Sequence, residues 1–120
     1  MAMMLRPPKG GAWLSVEEVL QRLKKEFTRV EVVLGSTADY ALSVAKSWRD
    51  AGQTARADRL EAVKDQGATV GVVEGGPQFA MILMVLPEFP IMAGFQSEAQ
   101  LESMQPLLQR CATVLGYDLK

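Results

Sequence analysis

The sequence predicts an α+β domain in two layers. A small antiparallel sheet, built as a three-stranded meander with a short edge strand, packs with about four helices. Three observations carry this expectation. Capped apolar stripes at helical spacing occupy both halves of the chain. Between residues 68 and 95 the period changes to β-branched and continuously apolar runs separated by Gly-Gly-Pro and Pro-Glu-Phe-Pro turns. The length of 120 residues, with 48% hydrophobic and 22% charged, suits one core and leaves no room for a second.

Residues 1–14 read as an extended N-terminal arm, because Pro7-Pro8 and Gly10-Gly11 interrupt helix and strand alike, and a frayed terminus is the ordinary fate of such a segment. Residues 15–120 then form the single α+β domain. Its first helix places Val16, Val19, Leu20, Leu23 and Phe27 on one stripe. Ser15 and Glu18 form a capping box, and Leu14 can staple onto Val19. Residues 29–35 fit a short edge strand, with Val30, Val32 and Leu34 inward and Glu31 outward. A second helix runs from Ser36 or Thr37 to Ala51, its stripe being Ala41, Val44, Ala45 and Trp48, with Gly52 as its cap. A third spans 54–66 with a thin stripe of Ala57, Leu60 and Val63, which predicts packing at the periphery. Residues 68–74 are β-branched and end at Gly75-Gly76-Pro77, as a strand entering a turn does.

The run from Phe79 to Phe95 decides the architecture. A membrane-spanning helix needs about twenty apolar residues, and here only eight precede Pro87. Those eight lie between two turn signals, which favours a buried strand over a helix despite their good helix propensity. Phe79, Met81, Leu83 and Val85 face one side, and Ala80, Ile82, Met84 and Leu86 the other. With both sides apolar, the strand belongs in the middle of the sheet with cover on both faces. The first and last helices are expected over one face. A further helix, the arm or a second copy of the chain must cover the other, so a homodimer or a docked partner is expected there. The residues assigned to that interaction are Phe79, Met81, Leu83, Met84, Phe89 and Met92.

Pro87 and Pro90 frame the next turn, and residues 91–95 return as the third meander strand. Ser97 and Gln100 open the last helix. Its stripe of Leu101, Met104, Leu107, Leu108, Cys111, Ala112 and Leu115 ends at Gly116, and Pro106 is expected to kink or restart it.

The chemistry is defined by what is missing. The chain has no histidine and one cysteine, so imidazole acid–base catalysis, His-dependent nucleophile pairs, the usual zinc sites and an internal disulfide are excluded. It carries no phosphate-binding or nucleophile-elbow motif. Gly75-Gly76 reads as a turn before it reads as an anion cradle. Glu74 and Glu88 sit in turns at opposite ends of the meander, which disfavours a carboxylate pair. Asp39, Tyr40 and Tyr117 could line a pocket, but no spacing joins them. Cys111, on an apolar stripe, reads as an inert core thiol. The net charge is −1, slightly basic before residue 67 and slightly acidic after, too mild for a nucleic acid or an anionic membrane.

These readings lean away from an enzyme and assign no catalytic residue, cofactor or metal. They favour a small cytoplasmic protein-interaction module: an adaptor, an inhibitor or immunity-type protein, or an assembly subunit. A small-molecule-binding domain, or an enzyme using Asp, Glu, Lys or Tyr, is the alternative.

Overall fold

In a computed structural model of the chain, which describes residues 2–33, 36–73, 80–95 and 97–119, the order is β1 (Ala2–Arg6), α1 (Val16–Glu26), β2 (Arg29–Val33), α2 (Ser36–Asp50), α3 (Thr54–Ala62), β3 (Ala68–Val73), β4 (Ala80–Val85), β5 (Ile91–Gly94), α4 (Glu98–Leu115) and β6 (Asp118–Leu119). The strands form one sheet in the order β2-β3-β4-β5-β1-β6, and every neighbouring pair is antiparallel. The α+β class holds, with more strands than the meander alone supplies.

The helix ends follow the sequence signals. Ser15 Oγ accepts the Glu18 amide at 3.1 Å, and Ser97 Oγ accepts the Gln100 amide at 3.1 Å. Gly116 ends α4 in the left-handed region at φ 68°, where a side chain would be strained, and the Tyr117 amide then reaches the Ala112 carbonyl at 2.9 Å. Pro106 neither stops nor restarts α4, which runs unbroken through it with the proline on the exposed side. The third helix is shorter than its stripe suggested, closing at Ala62. Leu86 to Phe89 makes the β4–β5 turn, with Pro87 second and Glu88 third at φ 57°, and the Phe89 amide points to the Leu86 carbonyl at 3.4 Å.

Two strands were not foreseen. The segment read as an arm contributes β1, seated between β5 and β6 with Met3 opposite Ala93 and Leu5 opposite Ile91. Leu5 is fully buried, so this end is held by a sheet ladder on both sides and by core packing. β6 adds a two-residue strand after α4.

The layering also differs from the two layers expected. Alternation along the strands sends Leu5, Val70, Val72, Met81, Leu83, Val85, Ile91 and Ala93 to one face, where α1 and α4 cover them with Val19, Leu23, Phe27, Leu108 and Leu115. The opposite face carries Met84, Leu86 and Met92, and the α2–α3 hairpin covers these with Ala41, Ala45, Ala57 and Leu60, all fully buried. The fold is therefore helix, sheet, helix, with β4 inside the sheet between β3 and β5. The hairpin, not an arm or a second copy, lies over Met84 and Met92. Alanines explain how: with only a methyl group at three contact positions, the hairpin approaches the sheet closely and stacks Trp48 on Phe89, ring centroids 6.2 Å apart.

Arg49 of α2 clasps the hairpin by bonding Glu61 and Asp58 of α3. The hydrogen bonds it donates, to Glu61 first and then to Asp58, raise its pKa above the usual guanidinium value. Arg56 caps the Trp48 ring at 4.1 Å from its centroid.

Candidate functional site

The α2–α3 hairpin does not cover its face of the sheet to the end. Beyond Met84 and Met92 the sheet carries a row in register: Glu31 of β2 opposite Gly71 of β3, and Gly71 opposite Ile82 of β4. On the other side of Ile82, β5 offers Gly94, one residue past the Leu83–Ala93 pair. Ile82 thus stands between two strands that present no side chain beside it. A branched apolar residue in the interior of a six-stranded sheet remains 43% exposed for this reason. Isolated large residues are common on surfaces, but this one lies beside a concavity.

That concavity has a volume of about 210 Å³ and is lined by Tyr40, Thr69, Ile82, Met84, Met92 and Gly94. Met84 and Met92 form its buried floor, and Tyr40, in the early part of α2, is the half-exposed rim. The geometry of the rim is fixed from below. Thr37, buried in the first turn of α2, shares a hydrogen bond of 2.5 Å with Thr69 of β3, tying the helix start to the sheet next to the recess. Gly94 has no atom within 4 Å of where a Cβ would project, so the space above it is open. Its backbone is not left-handed; the glycine is there without a conformational need for one.

The residues assigned to interaction from the sequence divide between the two faces. Met81 and Leu83 point into the core beneath α1 and α4, at 2% and 0% exposure. Met84, Phe89 and Met92 lie under the hairpin and are buried as well. Among the described ones, only Met84 and Met92 reach the recess. Phe79 lies outside the described residues, as do Glu74 and the Gly75-Gly76 pair. The exposed members, Ile82 and Tyr40, were missed as a docking pair. The glycines in VGVV and IMAGF were the available signal, since an isolated glycine in a strand marks a missing side chain that something else can approach.

Other candidates do not converge. Tyr40 lies on the recess face, while Tyr117 packs in the core of the opposite face, its hydroxyl accepting the Leu14 amide at 2.9 Å. Asp39 and Glu88 are exposed, with no shared site. No cluster of carboxylates and thiols that could hold a metal occurs among the described residues. Cys111 is fully buried; burial pushes its thiol up from 9.0 to about 12, against a weaker downward pull from Arg110. No helix among the described residues is long and apolar enough to cross a membrane. Compared with known proteins, the chain matches no family, no curated protein and no solved structure.

Proposed function

We propose that this chain is a small cytoplasmic protein-interaction module, an adaptor, inhibitor or assembly subunit rather than an enzyme, and that its recess receives an apolar side chain from a partner protein. The half-exposed Ile82, flanked by Gly71 and Gly94 and rimmed by Tyr40, carries this reading. An exposed isoleucine beside a methionine floor offers adaptable apolar contact, and the tyrosine adds a rigid amphipathic edge of the kind favoured at interfaces. Size favours a side chain over a free ligand: about 210 Å³ falls below the roughly 300–1,000 Å³ of small-molecule sites. The absence of histidine from the sequence and the buried state of Cys111 add weight against the enzymatic alternative.

The test is selection of displayed random peptides on the whole chain. Binders should share an aliphatic or aromatic anchor, and Ile82→Asp should abolish their binding while the chain stays folded, because Ile82 is 43% exposed and outside both core clusters; circular dichroism checks the fold. Peptides without an apolar anchor, or full binding by the Ile82→Asp variant, would refute the recess as the docking point. A small molecule that stabilises the chain in proportion to occupancy, and loses that effect in the same variant, would favour the ligand-binding alternative.

A further inference from the structure

The two edges of the sheet differ. β6 is described over two residues, Asp118–Leu119. β2, at the other end of the order, is five residues long and carries a self-complementary charge pattern. Arg29 and Glu31 sit two residues apart on one face, ion-paired to each other at 3.0 Å with both side chains more than half exposed. Val30 lies between them on the opposite face, half-buried, and Val32 beyond it is 39% exposed on the edge.

We infer that β2 pairs with β2 of a second copy of this chain, antiparallel and centred on Val30, to make a continuous twelve-stranded sheet. The Val30-centred register is the one that brings opposite charges together. A two-fold axis perpendicular to the sheet keeps each face on its own side, so opposed residues share a face and the centre must fall on a residue. Centred on Arg29, the pairing sets Arg29 against its own copy; centred on Glu31, it sets carboxylate against carboxylate. Centred on Val30, it sets each Arg29 opposite the other copy's Glu31, twice over, and closes the two existing ion pairs into an alternating ring of four charges. On the other face Val30 meets its copy, and each Val32 gains an apolar diagonal neighbour. Charges on an edge strand ordinarily repel indiscriminate pairing; here the same charges oppose the registers centred on Arg29 and Glu31 and favour the one centred on Val30. The contact is a single strand pair, smaller than a standard interface, so the association is expected to be weak and concentration-dependent.

Sedimentation equilibrium of the full chain over a concentration series tests this. The chain should self-associate to a dimer, more weakly as salt is raised. Glu31→Arg or Arg29→Glu alone should weaken association by about tenfold or more, since two opposite-charge pairs become like-charge pairs. The double variant Arg29→Glu/Glu31→Arg should restore it. Both positions are solvated, so the variants should fold, and circular dichroism checks that they do. A chain that stays monomeric across the whole series, at low salt and at the highest concentration it tolerates, would overturn the inference. So would a dimer that the single reversals leave intact, or one that the double variant fails to recover. Ile82→Asp should leave the association unchanged, which separates this interface from the recess.

Discussion

Gly67 and Gly94 both lie at strand ends and have opposite surroundings, so the same substitution at each should shift stability in opposite directions. At Gly94 a methyl group enters empty space, with nothing within 4 Å, and the backbone is one that any residue adopts. Gly94→Ala removes unfolded-state freedom and adds strand propensity, for a gain of about 0.5–1 kcal/mol. That corresponds to a rise in Tm of about 2–4 °C for a domain of this size. At Gly67 the added Cβ would sit 2.5 Å from the Val85 carbonyl oxygen and 2.6 Å from Leu86 Cδ2. The oxygen belongs to the strand residue paired with Ala68, so it cannot retreat without disturbing the β3–β4 register. Gly67→Ala should therefore cost about 1–3 kcal/mol. Urea unfolding of both variants, with an unchanged m-value, gives the two numbers directly. A destabilised Gly94→Ala would mean that the space over β5 is filled, removing the basis for the recess. A neutral Gly67→Ala would mean that the close approach of the α3–β3 connection to β4 is wrong.

Three further outcomes are expected. Leu83, fully buried at the centre of β4, should cost about 3–5 kcal/mol when cut to alanine, read by the same unfolding assay. Glu88, the one described non-glycine residue with positive φ, should be replaceable by glycine with a gain of about 0.5–1 kcal/mol, seen as a higher Tm. Cys111 should resist thiol reagents in the native chain and react on unfolding. Its folded pKa is raised, so the stability it supports is complete below pH 9.0 and is lost as pH climbs towards about 12. The loss is at most about 1.4 kcal/mol per pH unit in that window, and it should be missing in Cys111→Ala when the two pH profiles are subtracted.

The sequence made some of this legible because the signals were local. Ser15, Ser97 and Gly116 bound α1 and α4, and the apolar period between them needs no tertiary information. The run before Pro87 could be placed inside the sheet because neither of its faces was polar. Which of a further helix, the arm or a second copy covers its second face was not legible. Ala41, Ala45 and Ala57 are weak hydrophobic signals in a sequence, yet in the fold they are the contact surface, since small residues let helices approach a sheet. The stripe of α3 looked thin for the same reason that it packs closely. β1 was hidden by methionine, which has no strand preference, and by the prolines after it; β6 is too short to carry a period. The recess escaped because Ile82 is exposed by what its neighbours on β3 and β5 lack, a relation between strands rather than along one.

The position of β1 bears on how the chain reaches its fold. Residues 2–6 precede both of their partners by a long stretch of sequence, since one ladder is with residues 91–94 and the other with residues 118–119, so neither bond network can form until those later segments have been synthesised. Closing so wide a loop is slow, and until it closes β5 presents an open edge and β6 has nothing to pair with. The seat of β1 between β5 and β6 is thus built from the most non-local pairings in the sheet.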